Sequence, residues 1–266
     1  MSVNVGDDGR RFVQVEVEVP GSPEQVWQAI ATGPGISSWF VPTQVEEREG
    51  GTFTADFGMG MESSSTISKW DPPRSFTKDG DGMDPEAPPV ATEWIVEAKS
   101  GGACVVRVVH SWFASTDEWD AQWESVEQGW NVFFKILLLK LQRFPGRPCA
   151  AFDVSGMSNG SESETWAALK TPLGLTGATA GQQMRSEAGS PTLAGKVEIS
   201  GDGELGIMLL TSEPGPGICH LSATPFGDQT YVAIRFFLFG DTASAVVEKA
   251  QPEWTTWFGE RFGAGG

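Results

Sequence analysis

The chain has 266 residues, a length that suits two domains of about 120–150 residues, each able to bury a core. With 18 basic and 35 acidic residues, the formal charge is −17, which disfavours nucleic acid and anionic membrane surfaces as partners. No apolar segment reaches the ~20 residues of a membrane-spanning helix, so we expect no membrane insertion.

The first predicted elements are a strand and a short helix. Valines alternate with polar residues over 12–19 and form one apolar face, as in a half-buried strand, and Pro20 ends the pattern. Ser22 then offers the side-chain oxygen of a helix N-cap, and Pro23 occupies the first helical position. This helix is expected to end near Gly33.

Short β-like segments separated by glycine- and proline-rich turns come next, and a long helix follows them. Because no helix lies between the segments, they predict an antiparallel sheet. The helix is predicted over about 116–143, where apolar residues from Trp119 through Trp130 to Leu141 recur every three or four positions and form one inward stripe. The β segments are 43–48, 52–57, 63–70, 75–78, 92–98 and 104–113.

The second half of the chain repeats the first in shorter form. The decreasing spacing between the recurring segments predicts that the second copy has lost residues from its middle strands. We therefore predict one domain over 1–146 and a shortened, degenerate copy over 147–266. Three segments recur in the same order: 22–30 as 161–169, 106–109 as 234–237, and 130–134 as 254–258.

The order strand, short helix, sheet and long helix, opened by residues 17–27 (Val-Glu-Val-Pro-Gly-Ser-Pro-Glu-Gln-Val-Trp), resembles the START-like, or SRPBCC, superfamily. The resemblance covers residues 11–144, and from Cys149 onward the sequence resembles the superfamily only weakly, as a degenerate copy. It implies an α+β helix-grip fold (START-like or Bet v 1-like), duplicated, in which an antiparallel sheet wraps around a long C-terminal helix and leaves an apolar cavity. Four motifs are similar to the branch named after the activator of Hsp90 ATPase: residues 35–40, 70–74, 108–113 and 129–130.

The resemblance implies that the partner of the first domain is a hydrophobic small molecule such as a lipid or polyketide. The second domain is then a scaffold or an interface, and no cofactor is expected. Two alternatives stay open. One is an enzyme of the cyclase, aromatase or hydrolase type that uses His110 as its acid–base group. The other is a chaperone-associated regulator of the Hsp90 ATPase activator type.

The candidate pocket wall consists of residues that strand alternation and helical spacing place on inward faces. Apolar walls with few polar groups are typical of ligand pockets, but they equally describe a filled core. Trp39, with Phe40 beside it, is either a gate or a cap over the core. The candidate ligand-binding residues are Trp39, Phe53, Phe57, Met59, Trp70, Trp94, Val96, Val108, His110, Trp112, Trp123, Trp130 and Phe134.

His110 is the histidine of the first copy, and alternation points it inward. As a general base it would need a nearby carboxylate or a substrate proton, and the sequence identifies neither. A hydrogen-bonded core histidine and a ligand anchor are the other interpretations. No metal site is expected, because Cys104 lies too far from His110 on one strand face to share an ion, and Cys219 and His220 point in opposite directions.

The second copy presents two phenylalanines on the outer face of a strand. If Ile234, Phe236 and Leu238 face the core, Phe237 and Phe239 face outward. Two outward phenylalanines predict that this strand is covered, either by the first domain or by another subunit in a homodimer.

Cysteine usage and the N-terminal composition bear on the compartment. Cys104, Cys149 and Cys219 are odd in number, widely spaced and without a CxxC pair, which is typical of reduced thiols. Residues 1–11 are polar and lack the apolar segment of a secretory signal. We therefore expect a cytoplasmic protein.

Overall fold

The computed structural model describes residues 3–7, 9–58, 60–80, 88–113, 120–201 and 205–263, apart from the side chains of 120–128. The chain divides into two units, Met1–Gly146 and Arg147–Gly266, which are described separately. No helix in these described ranges is long and apolar enough to span a membrane.

The described part of the first unit contains an eight-stranded sheet and three helices. The strand order is β1-β2-β8-β7-β6-β5-β4-β3, and every neighbouring pair is antiparallel. Strands β3 to β8 therefore form a meander, and β2 joins it by pairing with β8. The elements are β1 (Asn4–Val5), β2 (Arg10–Pro20), α1 (Pro23–Ala31), α2 (Gly33–Ile36), β3 (Thr43–Val45), β4 (Thr52–Asp56), β5 (Glu62–Asp71), β6 (Ser75–Gly80), β7 (Val90–Lys99), β8 (Ala103–Phe113) and α3 (Asp120–Arg143).

Helix α1 begins as the sequence predicts. Ser22 is its N-cap and Pro23 opens the first turn. The Ser22 hydroxyl accepts from the backbone N–H of Gln25, and the Gln25 side chain accepts from the backbone N–H of Ser22, so two otherwise unpaired donors are satisfied. Trp27 and Ile30 are buried on the opposite face of the helix and fix it against the sheet.

Helix α3 confirms the predicted long helix over the part of it that the structure describes. Trp130, Phe134 and Leu137 are buried on one side of this helix. The Trp130 ring contacts Trp94 of β7 and His110 of β8, so the helix packs on the sheet face that carries these two residues. A sheet that holds a long C-terminal helix is the α+β helix-grip architecture.

The second unit has the same order of elements around a six-stranded sheet. Its strand order is β10-β11-β12-β13-β14-β9, again antiparallel throughout. Helix α4 begins with a capping box between Ser161 and Glu164, as α1 does with Ser22 and Gln25. The elements are β9 (Cys149–Ser158), α4 (Glu162–Lys170), β10 (Gln183–Arg185), β11 (Ala194–Ile199), β12 (Ile207–Glu213), β13 (Gly217–Phe226), β14 (Gln229–Phe239) and α5 (Ala243–Phe262).

The two sheets differ at their edges. Strands β9 and β14 correspond to β2 and β8, and β13 back to β10 correspond to β7 back to β4. Within the described residues, the second sheet therefore lacks counterparts of β1 and β3, which are the two edge strands of the first. Strand β3 lies between the recurring segments 22–30 and 106–109, so its missing counterpart agrees with the predicted loss of residues from the middle of the second copy. An edge strand pairs on one side alone, so its loss leaves the remaining ladder intact.

The outward face of β14 is buried. Phe236 and Leu238 belong to the apolar core of the second unit. Phe237 and Phe239 alternate with them and point to the other face, where both are also buried. A covered strand requires such burial, and the identity of the surface that covers it stays a prediction.

Candidate functional site

Three polar side chains form a row across neighbouring strands of the first unit. In the sheet register Lys78 of β6 lies opposite Thr92 of β7, and Thr92 lies opposite His110 of β8. Directly opposed residues of antiparallel strands share a sheet face, with Cβ atoms about 4.5–5.5 Å apart. We call Lys78, Thr92 and His110 the polar row.

Aromatic rings surround the polar row on the same face and on the helices above it. Every ring of this group contacts at least one other, with centroids between 4.5 and 6.4 Å apart. Trp94, two residues from Thr92 on β7, contacts three of them. We call the group the aromatic wall: Trp27, Trp39, Phe40, Phe53, Trp70, Phe76, Trp94, Trp130, Phe133 and Phe134.

The hydrogen bonds of His110 fix its tautomer. Trp130 Nε1 donates to His110 Nε2 over 2.6 Å. Because an indole N–H can only donate, Nε2 must accept, and the proton of the neutral ring lies on Nδ1. Nδ1 is 3.0 Å from Thr92 Oγ1 and donates to it. The Thr92 hydroxyl accepts this bond, so its own hydrogen is left to donate elsewhere.

His110 is a poor candidate for a general base. Burial, together with the positive charge of Lys78, lowers the pKa of His110 to about 3. An efficient general base has a pKa near the working pH, and both ring nitrogens of His110 already have hydrogen-bond partners. These observations favour the hydrogen-bonded core histidine among the interpretations that the sequence left open.

Lys78 is a site residue that the sequence analysis missed. Its Nζ donates to Ser65 Oγ over 3.2 Å and lies 4.8 Å from the centroid of the Phe53 ring. Burial lowers the pKa of Lys78 to about 8. The signal in the sequence was alternation, because Phe76 and Lys78 share a face of β6 and Phe76 is fully buried.

Trp94 has a buried donor without an acceptor. Its side chain is 1% exposed, and Nε1 has no hydrogen-bond partner. Leaving a buried donor unpaired costs about 1–3 kcal/mol relative to a satisfied one. The indole of Trp39, in contrast, donates to the backbone oxygen of Ala29 over 2.8 Å. Trp39 is fully buried, and its role as gate or cap stays a prediction.

The other predicted pocket residues divide into three groups. Phe53, Val96, Val108 and Phe134 are buried in the first unit, and Trp70 is partly buried. Two others differ from these: Phe57 is 41% exposed beyond the end of β4, and Trp112, two residues from His110 on β8, packs in a small cluster with Val13 and Val90. Met59 and the side chain of Trp123 lie outside the described residues.

The family comparison decides the class of the first unit. The family model described as activator of Hsp90 ATPase homolog 1-like protein matches residues 20–138. The first unit belongs to this family. We call it the AHSA1-like unit, and its helix-grip fold is that of the START-like superfamily. No curated protein matches the chain in sequence.

Solved structures similar to this chain include single-domain and two-domain proteins. The di-domain ARO/CYC BexL from the BE-7585A biosynthetic pathway is 13% identical, covers 96% of this chain and 99% of its own, and has a TM-score of 0.46. DynU16, from the dynemicin biosynthetic locus, is 18% identical, covers 93% of this chain and 95% of its own, and has a TM-score of 0.43. The Aha1 dimer from Colwellia psychrerythraea is 22% identical, covers 51% of this chain and 98% of its own, and has a TM-score of 0.42.

The second unit has a pocket that is smaller than a usual ligand site. A pocket of about 190 Å³ lies beside the end of α4, with Lys170, Val197 and Ile207 among its lining residues. Pockets for small molecules typically measure about 300–1,000 Å³. The polar row and the aromatic wall make the AHSA1-like unit the candidate site.

Replacing Trp130 by phenylalanine should lower the free energy of unfolding of the AHSA1-like unit by about 1–3 kcal/mol, because His110 Nε2 loses its donor while staying buried. Denaturant unfolding measures the loss, and NMR of the ring nitrogens reports whether the Nδ1–H tautomer persists. Trp254→Phe is the matched control, since Trp254 occupies the corresponding helix position and has no hydrogen bond among the described residues. Equal losses in both variants would mean that packing alone accounts for the effect.

Proposed function

We propose that the AHSA1-like unit binds a hydrophobic small molecule, such as a lipid or a polyketide, against the sheet face that holds the polar row. The second unit then acts as a scaffold or an interface. The observation that carries this proposal is the unpaired Trp94 N–H, two residues along the same face of β7 from the Thr92 hydroxyl, whose hydrogen is also left to donate. Buried donors of native proteins nearly always have acceptors, and a ligand oxygen in this place supplies one.

The surroundings of these donors suit an apolar ligand body. Trp94 contacts Trp39, Phe76 and Trp130, so a molecule placed beside its N–H meets aromatic faces on several sides. Aromatic walls around a few converging polar groups are the usual composition of a small-molecule site. The polar groups fix the orientation of the ligand, and the apolar contacts supply most of the affinity.

The alternatives have less support. An enzyme that uses His110 as its acid–base group requires a titrating histidine, and the pKa of about 3 and the bonds to Thr92 and Trp130 argue against one. A chaperone-associated regulator of the Hsp90 ATPase activator type has only the family name in its favour. Ligand binding is the function that the polar row and the aromatic wall favour.

Native mass spectrometry of the gently purified protein, followed by solvent extraction, tests the proposal. We expect one hydrophobic adduct of a few hundred daltons per chain, and fluorescence titration with the neutral apolar probe N-phenylnaphthylamine should give saturable binding. Trp94→Phe should weaken both. Trp166→Phe is the control, because Trp166 of the second unit also has an unpaired buried N–H but lies in an apolar core without a polar row.

Two results would contradict the proposal. One is a clean protein mass together with no saturable probe binding. The other is a Trp94→Phe variant that holds adduct and probe as tightly as the Trp166→Phe variant does.

A further inference from the structure

The two faces of the AHSA1-like sheet differ in how their charged side chains are paired. On the outer face Arg107 pairs with Glu16 over 3.2 Å and with Glu97 over 3.1 Å. On the inner face the ammonium group of Lys78 has a hydroxyl, Ser65 Oγ, and the face of the Phe53 ring as its contacts. No carboxylate within the described part of the chain forms an ion pair with Lys78, so its charge lacks a counterion there.

The inner face is also rich in donors and poor in acceptors. An ammonium group has three N–H donors, and Lys78 uses one of them on Ser65. Thr92 retains its hydroxyl hydrogen, and Trp94 retains its indole N–H. Two atoms of the row already accept: His110 Nε2 from Trp130, and Thr92 Oγ1 from His110 Nδ1. Three side chains that stand next to one another therefore all present hydrogens.

We propose that the ligand of the AHSA1-like unit is an acidic amphiphile, with an anionic oxygen head group between Lys78 and Thr92 and an apolar body against the aromatic wall. This inference rests on the proposed function and names the ligand class. A neutral ligand would leave the ammonium without a counterion among the described residues, in a poorly solvated place. A carboxylate, enolate or sulfonate oxygen neutralises Lys78 and accepts from Thr92 and Trp94 at the same time.

The net charge of the whole chain adds a second, independent prediction, which concerns the salt dependence of ligand binding. A formal −17 repels anions at long range, whereas the contact with Lys78 is local and partly buried. Salt screens exposed charges beyond a Debye length of about 10 Å at 0.1 M but screens buried pairs much less. Binding of an anionic ligand should therefore tighten with added salt, opposite to binding that depends on surface lysines.

Two probes with the same ring system separate the charge from the apolar body. Anilinonaphthalene sulfonate carries an anionic head group, and N-phenylnaphthylamine lacks it. By fluorescence titration the wild-type protein should bind the sulfonate about tenfold more tightly than the neutral probe, the size of one charge-assisted hydrogen bond. Lys78→Met should abolish this preference by weakening binding of the sulfonate, and Lys78→Arg should retain part of it. The control is Lys69→Met on the exposed face of β5, which should retain all of it.

The outcomes distinguish this inference from the proposed function. Suppose that the neutral probe binds but the wild-type protein does not prefer the sulfonate, or that Lys78→Met keeps the preference. The proposed anionic head group is then wrong, while the proposed apolar pocket remains supported. If neither probe binds the wild-type protein saturably, the proposed function fails and this inference fails with it.

Discussion

Replacing Lys78 by methionine should raise the free energy of unfolding of the AHSA1-like unit by about 1–3 kcal/mol at neutral pH. Methionine has nearly the length of lysine and packs readily against rings such as Phe53, but it has no charge to desolvate. Burial lowers the pKa of Lys78 to about 8, so the native state holds the charged form less favourably than water does. A variant that is more stable and binds anions less well identifies a residue kept for a ligand.

The pH dependence of this difference has a definite sign. Between about 8 and 10.5 the unfolded chain binds more protons at Lys78 than the native state does, so wild-type stability rises with pH. The advantage of Lys78→Met should be largest below pH 8 and should shrink toward pH 10.5. Urea unfolding at several pH values measures it, with Lys69→Met expected to stay within about 0.5 kcal/mol of the wild type. A destabilised Lys78→Met variant would show that the amine is needed for the fold.

Local patterns in the sequence were sufficient to predict most of the fold. The alternating valines of β2, the N-cap of α1 at Ser22 and the apolar stripe of α3 each depend on neighbours within one element, and all three are present, the stripe over the described residues from Trp130 onward. Which strands of the second unit are missing could not be read in this way. A decreasing spacing between repeats counts missing residues, but the pairing between strands decides which strands they were.

The candidate site was predicted only in its apolar part. Trp94, Trp130 and Phe134 follow from periodicity, whereas Lys78 is a lone charged residue in a short strand and such a residue usually faces solvent. Its relation to Thr92 and His110 depends on the register of three strands, and no single-strand pattern contains that information. The bond from Trp130 to His110 joins a helix to a strand, so it too is a product of tertiary packing.

Acid should destabilise both units before their carboxylates titrate. Burial is the main cause that lowers the pKa of His110 and of His220 to about 3 each, with the positive charges of Lys78 and Arg235 as second causes. The hydrogen bond between His220 Nε2 and the backbone oxygen of Leu205 opposes the shift. Both rings therefore stay neutral in the native state and gain protons in the unfolded chain below about pH 6.5.

The sign and the size of this effect follow from the two pKa values. Because the native pKa is lowered, the stability contribution is complete above 6.5 and is lost as the pH falls toward 3. Between pH 6.5 and 5 each histidine should remove about 1–2 kcal/mol from the free energy of unfolding of its own unit. Urea unfolding across this window measures the slope, and His220→Phe should flatten it for the second unit alone. A slope that persists in the second unit of His220→Phe would assign the acid sensitivity to groups other than His220. A flat profile in the wild type would mean that water reaches both rings and that the polar row is more open than its hydrogen bonds indicate.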